Sequence, residues 1–315
     1  MIEPSKIESA PPTATAGSSP EWVGFSMRRV GIIAANTFTE ALRQKVYNIL
    51  LLFALLVIAA ASFLAQFSFG EDTAQVASYD LKSIKDTCTG AISVVGMLIA
   101  VVGTAMLLPS EVENRTIYTI LSKPVRRVEF LLGKYFGSLI SVFVGLLLMS
   151  LLFGAVLMFK EHRLRRDVIA EMRAGDSSEL QAETERMLAQ VRHEAYDPNL
   201  IKGIALTFVK LALLAAITLL VSTFSTSMVF NVAVGVVIWI IGNLVGTAKE
   251  VLEAHRVVVA LLAAIPDLGV FDVFDEINLG NAVPWSQVIQ VAAYGLARIA
   301  IFVMAAYLIF SKREI

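Results

Sequence analysis

Cysteine, histidine and charge are scarce in this chain, and each shortage removes a class of function. One cysteine, Cys88, among 315 residues rules out an intramolecular disulfide and any cluster of thiolate ligands. It reads as a small packing residue. The three histidines, His162, His193 and His255, are scattered, with no second ligand three or four residues away. There is no Gly-x-Ser-x-Gly elbow either, so neither a zinc hydrolase nor a serine hydrolase has a residue set to work with. Gly-x-x-x-x-Gly-Lys-Ser/Thr is absent. Gly133-Lys134 is followed by Tyr135 and has no phosphate-cradling loop before it, so this chain does not hydrolyse ATP itself. Charged residues make up 17% of the chain and the net charge is −1, which leaves no electrostatic footprint for nucleic acid. Residues 1–20 are rich in Pro, Ser, Thr and Ala, lack an apolar run and lack a clustered positive start. They read as a disordered tail rather than a cleaved signal peptide.

What is abundant is apolar side chain. With 57% hydrophobic residues the composition is that of an all-α, polytopic membrane protein. A bilayer core of roughly 30 Å needs about 20 apolar residues in a helix. Six segments reach or approach that length: 48–67, 89–109, 135–159, 204–226, 229–248 and 288–310. They form one transmembrane domain over 48–315. Before them, within 21–47, Trp22, Phe25, Val30, Ile33, Phe38, Leu42 and Val46 recur at helical spacing, while Arg28, Arg29, Arg43 and Lys45 mark the other face. That pattern predicts an amphipathic helix lying at the membrane interface; a helix packed in a soluble domain is the competing account.

An even number of spans puts both termini on one side, together with the cations of 21–47 and of 109–134. Counting Lys and Arg does not fix that side, because the loop 160–203 carries a comparable number. That loop interleaves arginines with acids and is broken at Gly175-Asp176, the pattern of a solvated, salt-bridge-laced helix pair on the outer face. Docking of a partner there is the sharper alternative. In 249–287 the one apolar run, Val257–Ile265, is too short to cross and ends at Pro266, which predicts a re-entrant segment. Asp267, Asp272, Asp275 and Glu276 follow it without the spacing or central glycine of a calcium loop.

The informative stretch is 109–134, a charged island between the second and third apolar runs. Ser110 with Glu113 three residues later is a capping-box signature that starts a helix, and Lys123-Pro124 ends it. A second basic segment with Arg126, Arg127 and Lys134 follows.

Three motifs carry a family resemblance over most of the chain. They are Ala35-Asn36-Thr37-Phe38-Thr39-Glu40-Ala41-Leu42-Arg43; then Glu111-x-Glu113-x-x-Thr116-x-x-x-Ile120-Leu121-x-x-Pro124-x-x-Arg127-x-x-Phe130-x-x-Gly133-Lys134; and Phe310-x-x-Arg313-Glu314. Together they resemble the ABC-2 type transporter permeases, nearest to the branch that serves multi-copper and nitrous-oxide-reductase maturation. The resemblance implies six spans, a cytoplasmic coupling helix between spans two and three, and a re-entrant hairpin before the last span. It also implies a separate ATPase subunit carrying ATP and magnesium, and a second permease copy, identical or paralogous. On that reading the chain is a non-catalytic permease subunit of an exporter in the bacterial inner membrane, with both termini cytoplasmic and no cofactor or metal of its own. The ATPase-coupling residues it implies are Glu111, Glu113, Arg115, Thr116, Leu121, Pro124, Arg127, Gly133 and Lys134. The long charged loop 160–203 departs from the family pattern.

Two cations fall inside apolar runs. Arg298, near the middle of the last span, costs about 2.5–3.5 kcal/mol on insertion scales, which the apolar remainder offsets. Its cost points to a pathway or interface role, with snorkelling as the alternative. Lys210 is expected to snorkel. Two rival functions use the same features: a membrane scaffold that recruits a cytoplasmic partner without moving a substrate, and an ion-driven secondary transporter. The second would call for inverted repeats and buried acids in the spans, and neither occurs. The ten methionines are scattered through the spans and read as packing, not as soft-metal ligands.

Overall fold

The computed structural model describes residues 24–64, 73–109, 126–174, 197–251 and 265–312. In chain order the elements are α1 (Met27–Arg43), α2 (Lys45–Leu64), α3 (Thr73–Ala105), α4 (Arg127–Ala174), α5 (Asn199–Phe224), α6 (Met228–Val251), a 3-10 turn η1 (Gly269–Phe271), α7 (Phe274–Asn278) and α8 (Trp285–Lys312). There is no strand among the described residues. The reason is the solvent: in hydrocarbon every backbone group must be satisfied within the protein, and helices do this segment by segment. Five helices are long and apolar enough to cross a membrane, with spans at Lys82–Ala105, Arg127–Arg163, Asn199–Phe224, Met228–Lys249 and Trp285–Lys312. The count reaches six when α1 and α2, which meet at 67° across the break at Gln44, are taken together as one bent span.

The bundle is built around α5. Its apolar window is 72% buried, against 17% for α8, and Leu211–Leu219 is enclosed on all faces, as an interior helix requires. Its hydroxyls turn back on their own helix, Thr207 Oγ1 donating to Gly203 O and Thr218 Oγ1 to Leu214 O, both at 2.9 Å. Neighbours bind it by single polar tethers: Tyr135 Oη of α4 donates to Ala212 O at 3.0 Å. Cys88 lies fully buried in the same core. Exposed apolar side chains fall on the outward faces of α2, α4, α6 and α8, among them Phe53, Leu56, Phe143, Leu151, Ile240, Leu244, Leu296 and Met304.

Helix limits differ from the apolar runs in a consistent direction. The sequence places the second span at 89–109 and the third at 135–159, whereas α3 begins at Thr73 and α4 runs unbroken from Arg127 to Ala174. Hydropathy marks where a helix leaves the hydrocarbon, while the backbone pattern continues until a breaker stops it. The first part of the 160–203 loop is therefore a continuation of α4. Its predicted break at Gly175-Asp176 lies outside the described residues.

The N-terminal helix is packed, not simply laid on a surface. Val30, Ala34 and Thr37 of α1 are buried against Gly133 and Gly137 of α4. A Cβ at Gly133 would lie 2.6 Å from Ile33 Cβ, and one at Gly137 would lie 2.5 Å from Thr37 Cβ and 2.6 Å from Ala34 O. Small residues four apart let two helices approach this closely in a membrane. Ser141 extends the row one turn further, its carbonyl accepting from Tyr47 Oη at 3.0 Å.

Gly137→Leu should therefore lower stability by about 1–3 kcal/mol through overpacking. Gly154→Leu on the same helix, where a Cβ meets nothing within 4 Å, should leave it close to wild type. Thermal unfolding of both variants in one detergent checks the contrast.

Candidate functional site

The segment 110–125 lies outside the described residues, and with it Glu111, Glu113, Arg115, Thr116, Leu121 and Pro124. The structure does describe where that segment delivers the chain. Arg126 is the residue before α4, and the side chain of Glu129, in the first turn, reaches back so that Oε2 accepts the Arg126 N–H at 3.2 Å. This is half of a capping box, supplied by the acid. The other oxygen, Oε1, accepts the backbone N–H of Ser26 at 2.7 Å and Arg29 Nη2 at 2.8 Å. Ser26 is the N-cap of α1. One carboxylate thus caps two helix N-termini, where unpaired N–H groups and the helix dipole both favour negative charge. Glu129 is 0% exposed, and a carboxylate buried to that degree is tolerable only with such partners.

The residues on either side of Glu129 tie in further elements. Arg127 Nη1 donates to Ser311 O at 2.8 Å and Phe310 O at 3.3 Å, covering the unpaired carbonyls at the end of α8. Phe130 stacks on Phe310 with ring centroids 6.1 Å apart. Lys134 is 2% exposed; its Nζ lies 3.4 Å from Glu40 Oε2 of α1 and 6.0 Å from the Phe130 ring centroid. Gly133 is the close-contact position against α1 already described. The three described members of the predicted coupling set, Arg127, Gly133 and Lys134, therefore meet at one junction and are turned inward onto α1 and α8. Sequence reasoning passed over Glu129 and Arg29. The available signal was the acid at the third position of a helix whose apolar run follows at once.

A second polar centre lies toward the opposite end of the bundle. Lys210 is 3% exposed, about 16 Å along α5 from its first residue at 1.5 Å per residue. Its Nζ donates to Asn243 Oδ1 of α6 at 2.7 Å and lies 3.6 Å from Asp272 Oδ2, next to η1. Its ammonium does not end free in solvent: two polar partners from distant parts of the chain hold it, Asn243 within the bundle and the half-exposed Asp272. The segment that brings Asp272 there is seated on glycines. Leu268 packs at Gly242, with its N–H donating to Gly242 O at 2.9 Å; Phe274 packs at Gly203, and Phe271 at Gly295. The predicted re-entrant run Val257–Ile265 falls almost wholly outside the described residues.

Arg298 is half-buried, and its guanidinium carbon lies 5.4 Å from the Tyr294 ring centroid. Tyr294 Oη in turn accepts the Asp267 N–H at 3.2 Å. Asp267, Asp272, Asp275 and Glu276 do not converge: among the described residues no three acidic, histidine or cysteine side chains are placed to share an ion.

The sequence itself matches a known family. The family model described as ABC-2 family transporter protein matches residues 32–315. No curated protein matches the sequence at a significant level.

Two measurements follow from these geometries. Glu129→Ala should lower stability by about 3 kcal/mol, the lower edge for a broken buried pair, because Arg29 keeps access to water; thermal unfolding in detergent reads it, and Glu129→Gln should recover part of the loss. At the other end Asp272→Ala strands a buried ammonium, whereas Lys210→Met leaves an acid that water already reaches. The first should be the more damaging by about 1 kcal/mol or more, and equal effects would contradict the pairing.

Proposed function

The chain belongs to the ABC-2 family of transporter proteins, the membrane component of ATP-binding-cassette transporters, and from that premise we propose that it is the permease of an exporter driven by a separate ATPase subunit. ATP and magnesium act on that subunit, and the segment 110–125 is its docking element. The observation that carries this reading is the junction at Arg126–Glu129. A push on a docking segment does mechanical work only if the segment is joined stiffly to the spans, and the four residues after it are bonded to α1 through Glu129 and to α8 through Arg127.

In this reading the coupling residues divide into two kinds. Glu111, Glu113, Arg115, Thr116 and Leu121 meet the ATPase, with Pro124 closing that segment of the sequence. Arg127, Gly133 and Lys134 act inside the permease and hold it to the spans. The helix α1 lies along the cytoplasmic interface of a bacterial inner membrane with Arg28, Arg43 and Lys45 exposed, and both termini are cytoplasmic. A second permease copy completes the pathway, and Arg298, on the least buried of the spans, serves at that pathway or seam. The family match does not separate branches, so the likeness to maturation permeases rests on the motif residues alone.

Reconstitution with the cognate ATPase tests the reading. The wild-type chain should stimulate ATP turnover. Glu111→Ala combined with Glu113→Ala should weaken ATPase binding, while Glu129→Gln should retain binding and reduce stimulation severalfold. Binding without any change in turnover would identify a scaffold instead.

A further inference from the structure

The helix α4 is basic at both ends, and the two ends use their cations differently. At its first end the charges are engaged inside the protein: Arg127 on the last carbonyls of α8, Lys134 on Glu40. At its far end Lys160, Arg163, Arg165 and Arg166 fall within seven residues that hold one acid, Glu161. Lys160 is buried, whereas Arg163, Arg165 and Arg166 are exposed. Among the described residues none of these three arginines is paired with a carboxylate. Arg163 has an aromatic neighbour: its guanidinium carbon lies 4.8 Å from the centroid of the Phe159 ring.

Helical register says where this cluster sits. Phe136, Ile140, Phe143, Leu147, Leu151 and Met158 are exposed, and their spacing places them on one face of α4. From Phe136 to Met158 the face is about 33 Å long at 1.5 Å per residue, enough to cover a hydrocarbon core of roughly 30 Å with some tilt. Arg165 continues that face seven residues after Met158, and Arg163 and Arg166 are exposed on the other sides of the same turns. The side of the helix that looks sideways into lipid therefore turns cationic within one or two turns of the apolar edge, at the depth of the headgroup phosphates.

Topology does not account for the cluster. Lys and Arg near span ends bias insertion toward the cytoplasmic side, and α4 carries them at both ends. Whichever end is cytoplasmic, one set does something else, and the set at the first end is already bonded within the fold.

We propose that Arg163, Arg165 and Arg166 form a headgroup site for anionic phospholipid in the leaflet opposite α1. Guanidinium groups match phosphate oxygens in a two-point geometry. The ring of Phe159 supports Arg163 from below while lying among the acyl chains, as aromatic residues do at the membrane interface. The site stands apart from the transport reading, since it requires only that α4 crosses the bilayer.

Native mass spectrometry of the full-length protein, exposed to phosphatidylglycerol and phosphatidylcholine of equal acyl chains at equal mole fraction, tests it. The wild type should retain phosphatidylglycerol preferentially. Neutralising the cluster in the triple variant Arg163→Gln, Arg165→Gln, Arg166→Gln should lower that preference by about fivefold per arginine. The triple Lys variant should keep most of it, and Arg28→Gln with Arg43→Gln, at the other end of the bundle, should change it little. If the triple Gln variant does not fold, Arg166→Gln alone and a rise in salt on the wild type carry the same test, and each should reduce the preference. A preference that survives these changes, or one abolished by the α1 variants alone, overturns the proposal. Loss of a co-purifying protein with lipid preference intact would assign the cluster to a protein partner and overturn it equally.

Discussion

A carboxylate with no exposure to water constrains more of this structure than any apolar contact does. Glu129 is stable only where several donors surround it, and they come from three places: its own helix start, the N-cap of α1 and the guanidinium of Arg29. Those requirements fix the position of α1. The helix must begin beside the start of α4, and to lie there it must cross α4 closely. The glycines at 133 and 137 permit that crossing because they remove the side chains that would collide with Ile33 and Thr37. Once α1 is placed, Glu40 falls near Lys134 and Tyr47 near Ser141. One buried charge and a row of small residues thus specify the geometry of the entire N-terminal arm.

The opposite end solves a related problem with the signs reversed. Lys210 is a buried cation that needs acceptors, and Asn243 and Asp272 supply them. Here the element that must be held is a short irregular segment, whose backbone groups would be costly in lipid if left unpaired. Its side chains fill the recesses at Gly203, Gly242 and Gly295, and its backbone bonds to Gly242 O. Glycines at helix crossings let a non-helical stretch sit where only helices would otherwise be stable.

The spans themselves were legible, because each apolar run is long enough to be read directly and no competing period interrupts it. Their limits were not, since α3 and α4 continue past the hydrocarbon edge on helical propensity alone. The part of the site that could be read was the charged island, from its capping signals and its family motif. Glu129 is less legible: the capping box at Ser110 and Glu113 is the stronger local pattern, and the helix start that Glu129 closes lies eight residues before the apolar run 135–159. Lys210 was given the usual behaviour of a lysine near a span end. Its partners lie 33 and 62 residues away in sequence, on other elements, and no local pattern announces them.

The two polar centres differ in what they permit. At the α1 end, separating α1 from α4 means breaking two bonds to a buried carboxylate, about 3 kcal/mol, together with a crossing that has no slack. Parting α8 from the same point also strips Arg127 from two helix-end carbonyls. These contacts join the starts of α1 and α4 and the end of α8 at one point. At the other end the irregular segment is held by van der Waals contact in glycine recesses, by the Leu268 N–H on Gly242 O, by the Asp267 N–H on Tyr294 Oη and by an ion pair whose acid is 44% exposed, so water can take over part of that last pairing. The bonds to Glu129 have no such substitute, because the carboxylate is closed to water.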